Sequence, residues 1–237
     1  MLRGVANLAG MLLVVAGALL AASGLATPVG IVTAFAGVAL ILGVSAFLAQ
    51  GLEKALAALA ASAGVPAPAY QGEDGVAWMK SLGFFDYARQ PIPRLRRQSV
   101  DVDGGTVSIV DLRVGAGKPA VIGGLLFTAP CRAAGALTLY RTGLAQRLRA
   151  KSLGGAVTTG TALDESFVMY AADEGEARSA AVALDPTAID ELFRYGKLSA
   201  LAIANGRATL FVENAPATLL EPAKAREIMQ FLARCAP

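Results

Sequence analysis

The chain has 237 residues, 55% of them hydrophobic, with 21 Lys and Arg against 18 Asp and Glu and a formal net charge of +3. It contains no histidine, which excludes Ser-His-Asp and Cys-His catalysis, histidine-ligated metals and a histidine pH switch. Its two cysteines, Cys131 and Cys235, lie far apart and outside any CxxC pair, so the spacing suggests two buried reduced thiols and neither a disulfide framework nor a zinc knuckle.

From Gly4 to Leu52 there is no Asp, Glu, Lys or Arg. Within that run, Val5 to Ala22 and Val29 to Ala49 each approach the roughly 20 apolar residues that cross a bilayer. This predicts a two-helix transmembrane hairpin over 1–52, joined by the turn SGLATPVG. Gly10, Gly17 and Gly24 recur at heptad spacing, as do Gly30 and Gly37. The two helices can therefore approach closely, although glycine facing lipid without any packing role is the alternative. Arg3 before the first segment and Lys54 after the second, with no positive charge between them, place both ends in the cytoplasm. A cleaved signal peptide ending near LLAASGLA is the rival for the first segment. Both readings leave the remaining chain on the cytoplasmic side of a bacterial inner membrane, with the bilayer as one partner.

Residues 53–72 read as a helical extension, GLEKALAALAASAG, followed by the stiff linker VPAPAYQG. A cytoplasmic domain is expected over 73–237, ample for its own core. It opens with a short helix in EDGVAWMKSLGFF, with Trp78 and Leu82 on one face, and a proline-marked turn, RQPIPRLRRQ. SVDVDGGTVSIVDLRVG and KPAVIGGLLFTAP alternate apolar and polar residues and read as antiparallel strands joined by hairpins. ALTLY is a further strand, and TGLAQRLRAKSL is a basic helix with Thr142 as N-cap and Leu144 and Leu148 inward.

SFVMYAA then gives a strand and EGEARSAAVAL a helix. DPTAIDELFRYG is a second helix, with Asp185 as N-cap, Pro186 in the first turn, Ile189, Leu192 and Phe193 inward, and Gly196 as stop. LSALAIANGRATLFVEN is a hairpin turning at Asn205-Gly206, and EPAKAREIMQFLARCA is a closing amphipathic helix. Strands pairing with sequence neighbours and interspersed helices make the class α+β with a mainly antiparallel sheet.

GAGKP at 115–119 superficially matches the end of a phosphate-binding loop. Leu112 stands where that motif needs Gly and Pro119 where it needs Ser or Thr, so a hairpin loop is the better reading and no nucleotide is expected. Charge is polarised: Lys80 to Lys151 holds twelve Lys or Arg against four Asp, whereas Ser152 to Pro237 holds seven against eleven acids. Arg94, Arg96 and Arg97 are candidates for anionic lipid headgroups, against the plainer reading that the basic half solvates its face and pairs with the acidic half. Nucleic acid is not expected, because the arginines are not interleaved with aromatics.

Asp173, Glu176 and Arg178, in FVMYAADEGEARSAAVALDP, are the candidate binding cluster. Paired carboxylates could act as acid and base or hold a hard cation. Their place in the first turn after a strand, with Asp173 and Glu176 three apart, instead suits helix capping. No catalytic residue, metal ligand or cofactor is assigned.

The succession IGGLLFTAP, FVMYAADEGEARSAAVALDPTAIDELFRYG and LSALAIANGRATLFVEN resembles an uncharacterised bacterial membrane-anchored family, domain of unknown function 3137. Gly124, Leu125 and Phe127 match one of its segments. Phe167, Tyr170, Asp173, Glu176, Ala177 and Arg178 match another, while Ile122 and Ala171 depart from its aromatic and serine. The resemblance implies a two-helix membrane anchor with one following domain, and no activity or cofactor. The expected role is that of a membrane-anchored binding or scaffold protein, an accessory of a membrane assembly with a protein partner in the membrane or at its cytoplasmic face. A tethered enzyme using the Asp-x-x-Glu-x-Arg cluster and an anionic-lipid module are the alternatives.

Overall fold

The computed structural model describes residues 2–23, 27–66, 68, 71–73, 77–78, 81–84, 94–114, 120–141, 156–196 and 199–235. The loop at 115–119, the basic helix expected over 142–153 and much of the linker before Gln71 lie outside them. The chain divides into two compact units, Met1–Lys54 and Ala55–Pro237.

The first unit is a helix pair, α1 (Leu2–Ala22) and the start of α2 (Thr27–Ser62). Glycine sets its spacing. A Cβ on Gly17 would run into the Gly30 carbonyl and come within 2.5 Å of the Ala34 amide. One on Gly37 would lie 2.6 Å from the Gly10 carbonyl. These distances are well inside van der Waals contact, so the backbones meet where no other side chain fits. The outward faces are apolar: Leu8, Leu12 and Leu19 on α1 and Val29, Val32 and Phe35 on α2 are exposed, Phe35 at 71%.

The membrane anchor expected from the same residues does not hold. Among the described residues, no helix is long and apolar enough to cross a membrane, so neither the transmembrane hairpin nor the two-pass inner-membrane placement is supported. The second helix continues past residue 49, as the expected helical extension over GLEKALAALAASAG requires. It runs 36 residues without a break, past Glu53 and Lys54, a length of about 54 Å at 1.5 Å per residue. Its last turns bury Leu56, Leu59 and Ala60 completely or nearly so.

The second unit is α+β, built on a nine-stranded sheet whose pairings among the described strands are all antiparallel. The strands are β1 (Gln71–Glu73), β2 (Arg94–Val102), β3 (Gly105–Val114), β4 (Ala120–Pro130), β5 (Leu137–Arg141), β6 (Ala156–Val157), β7 (Phe167–Tyr170), β8 (Ser199–Ala204) and β9 (Arg207–Glu213). Their spatial order is β1-β2-β3-β4-β9-β8-β5-β7-β6. The hairpin β8–β9 is thus inserted between β4 and β5, which are neighbours in sequence. Two connections carry the backbone signature of a tight hairpin turn, Asp103-Gly104 (φ 50° and 81°) and Asn205-Gly206 (φ 53° and 68°). Both central residues are left-handed, as a type I′ turn requires.

Period-two alternation gives the sheet two faces. On one, the cross-strand row Val107, Phe127, Leu210, Leu201, Leu139 and Met169 is buried. The helices of this unit supply matching apolar residues: Ala177 and Ala180 of α4 (Glu174–Val182), Ile189 and Leu192 of α5 (Pro186–Leu192), and Ala225, Ile228 and Leu232 of α6 (Pro222–Cys235), all fully buried. The opposite face carries Val110, Leu126, Phe211, Ala200, Tyr140 and Tyr170, clustered with Phe84 and flanked by Trp78 and Leu82. Phe84 meets Phe211, and Tyr140 meets Tyr170, edge-to-face, with centroids 6.3 and 5.9 Å apart. The segment bearing Phe84 is pinned by the Thr138 hydroxyl, which donates to the Gly83 carbonyl, and by the Asn205 amide, which donates to the Ser81 carbonyl at 3.0 Å.

Three details depart from the expected elements. β2 starts at Arg94, five residues before the expected strand, because pairing with β3 from Arg94↔Arg113 onward overrides the polar, proline-preceded look of that stretch. The edge strands β1 and β6 are only three and two residues long, too short to leave a pattern. The four-residue helix α3 (Leu163–Ser166) is held by one side chain rather than by periodicity. The Asp164 carboxylate accepts from the amides of Thr159, Gly160 and Thr161 at 2.7–3.2 Å and from the Thr159 hydroxyl.

Candidate functional site

The acidic cluster sits where β7 hands over to α4. Asp173 is extended (φ −136°, ψ 134°), and its carboxylate accepts from the Glu176 amide at 2.9 Å. The Asp173 carbonyl takes the next bond, from the Ala177 amide at 3.1 Å. That is the geometry of an N-cap, satisfying a donor that no helical carbonyl can reach. Among the described residues the reciprocal arm, from the Asp173 amide to the Glu176 carboxylate, is not made. Glu174 and Glu176 remain in the first turn, where negative charge favours the helix. All three acids and Arg178 are exposed, and Arg178 forms no ion pair among the described residues. The cluster thus has a role in the fold, and none of its residues lines the cleft described below.

Arg94, Arg96 and Arg97 lie on β2, with Arg96 opposite Gly72 on one side and Asp111 on the other. Arg97 is half-buried, its guanidinium 5.1 Å from the Trp78 ring centroid, so this arginine covers the aromatic cluster with its cation–π contact.

A second polar group lies on the helical side. The Tyr195 hydroxyl donates to Glu227 at 2.8 Å, Lys224 donates to the other carboxylate oxygen at 2.8 Å, and the Lys224 ammonium lies 4.8 Å from the Tyr195 ring centroid. Lys224 and Tyr195 together hold the Glu227 carboxyl below the usual range. Burial, then the bond to Glu227, pushes the Tyr195 phenol well above its ordinary value. The three groups satisfy one another and tie α6 to the 3-10 turn after α5. Cys131 is a free thiol pushed up by burial, so its nucleophilic thiolate is disfavoured. Among the described residues, no group of three or more Cys, Asp or Glu could hold a metal ion.

One cleft opens at the turn end of the sheet. It has a volume of about 290 Å³ and is bounded by Asp101 and Thr106 at the β2–β3 turn, Thr128 and Pro130 on β4, and Arg207 on β9. The register makes it: Asp101↔Thr106, Thr106↔Thr128 and Pro130↔Arg207 place these side chains on one face. The Thr106 hydroxyl donates to Asp101 at 2.8 Å, and the hydroxyls of Thr128 and Thr209 are bonded at 3.2 Å. Nothing in the sequence marked these residues except the Asp103-Gly104 turn, since the strands that bring Arg207 to Asp101 are more than a hundred positions apart. No protein-family model matches the chain, and no curated protein or solved structure is detectably similar to it.

Proposed function

We propose that this chain is a binding or scaffold protein whose helix pair engages a protein partner. The observation that carries the reading is the outer surface of that pair. Over 49 consecutive positions, Gly4 to Leu52, it has no charged residue, and Leu8, Leu12, Leu19, Val29, Val32 and Phe35 stand exposed on it. Contiguous apolar surface of this extent marks an interaction site. Supporting the same reading, the acidic cluster is occupied in capping α4, and the Tyr195 group in joining two helices. The likeness of Phe167–Tyr170 and Asp173–Arg178 to domain of unknown function 3137 belongs to this proposal. Those residues form a strand-to-helix junction, which suits a marker of architecture more than of chemistry.

The test is photo-crosslinking in the producing cell, with the reactive residue placed outward at Leu12 or Phe35 or in the seam at Ala34. A single protein should be captured from the outward positions and not from the seam. Capture of lipid alone, or of nothing, overturns the proposal. So does turnover of a substrate by the purified chain that is lost on Asp173→Asn or Glu176→Gln.

A further inference from the structure

The cleft at the turn end of the sheet has charges of opposite sign on its two rims and hydroxyls on its floor, and we propose that it binds a small zwitterion whose cationic and anionic ends lie apart, of which a dipeptide is the simplest example. Asp101 and Arg207 are both exposed. Three inter-strand steps, β2 to β3 to β4 to β9, separate them, so their backbones stand on the order of 14 Å apart at about 4.8 Å per step. That is too wide for the two side chains to neutralise each other directly. Nor are they neutralised elsewhere: among the described residues Arg207 forms no ion pair, and Asp101 accepts only the Thr106 hydroxyl. The neighbouring acid, Asp103, is by contrast held by Arg226 at 3.1 Å. Asp101 is therefore the carboxylate left for a ligand ammonium, and Arg207 the donor fork left for a ligand carboxylate.

Between them lie the hydroxyls of Thr106, whose proton is given to Asp101, and of Thr128, which is bonded to Thr209; each keeps a lone pair that can accept from a ligand N–H. The lining contains no aromatic ring, which argues against a flat heterocycle. Gly104, at φ 81°, borders the cleft, and nothing lies within 4 Å of where its Cβ would be. The volume of about 290 Å³ sits at the small end of the range for ligand sites.

Equilibrium dialysis of the full chain against dialanine, N-acetyl-dialanine, dialanine amide and alanine tests this. Saturable dialanine binding is expected, weakened at least tenfold by blocking either end and similarly for alanine, whose charges are too close together to reach both rims. Arg207→Ala should bind dialanine no better than the wild type binds dialanine amide, with Arg207→Lys intermediate. Asp101→Asn should mirror this at the amino end, its fold checked by circular dichroism. Should Asp101→Asn disturb the hairpin, the Arg207 variants decide alone. Absence of saturable binding, equal binding of the blocked peptides, or unchanged binding by folded Arg207→Ala overturns the proposal.

Discussion

Replacing Asp173 separates a cap from a catalyst. In Asp173→Ala the Glu176 amide loses its 2.9 Å acceptor, and no other group replaces it at the first turn of a nine-residue helix. Loss of an N-cap costs about 0.5–2 kcal/mol, and an exposed site belongs in the lower half of that range, about 0.5–1 kcal/mol. In a unit of this size 1 kcal/mol moves Tm by roughly 2–4 °C. Asp173→Asn keeps the acceptor and removes the charge, so only the dipole part should be lost, about 0.3 kcal/mol on an exposed surface. The assay is urea unfolding followed by the fluorescence of Trp78, the sole tryptophan, which packs against the sheet cluster and so reports this unit. Equal damage from Asn and Ala, or none from Ala, would refute the capping argument. A loss of turnover with stability unchanged would reinstate the acid as a catalyst.

Phe211→Ala should cost about 3–5 kcal/mol, a large part of a domain's usual 5–15 kcal/mol, because the ring is 1% exposed and meets Phe84 edge-to-face; the same urea assay checks it. Glu227 should contribute stability above the ordinary glutamate pKa of about 4.3, lost as pH falls through its lower folded value. Urea midpoints taken downward from pH 6 should therefore fall less in Glu227→Gln. Tyr195 has the opposite sign: its contribution holds below about pH 10 and is lost as pH rises further, since its folded pKa is raised. Tyr195→Phe should accordingly flatten the alkaline limb. Gly30→Val places side-chain atoms where a Cβ alone would lie 2.5 Å from the Ala21 amide. The expected result is faster hydrogen exchange along α1 with the sheet unit unaltered.

The elements that local chemistry dictates were legible. Asn205-Gly206 turns because both residues accept positive φ. α5 starts at Pro186 behind Asp185, whose carboxylate takes the Thr187 amide at 2.9 Å. The glycine spacing of the helix pair reads as a close contact because nothing larger fits there. Long-range pairing was not legible. Arg94 to Gln98 look like loop until β3 supplies their partners, and the cleft exists only because β9 lies beside β4. Apolar length was misleading in its own way. The same uncharged run that predicted a bilayer anchor forms helices in which, among the described residues, no stretch meets that requirement. Composition records how apolar a surface is and leaves open what covers it.

The placement of β8 and β9 between β4 and β5 bears on the order in which the sheet can close. As the chain is synthesised, β4 is complete at Pro130, whereas its permanent neighbour begins only after Ser199 and the turn that follows. At 5–20 residues per second, the interval of 77 residues from Pro130 to Arg207 lasts roughly 4–15 s. During it, two apolar central strands stand with open hydrogen-bonding edges, the state in which strands recruit wrong partners. Shortening the interval cannot help without rewiring the fold, so production of this protein should respond to whatever shields nascent chains. Lesions in the late hairpin should yield aggregates rather than a loosened native state.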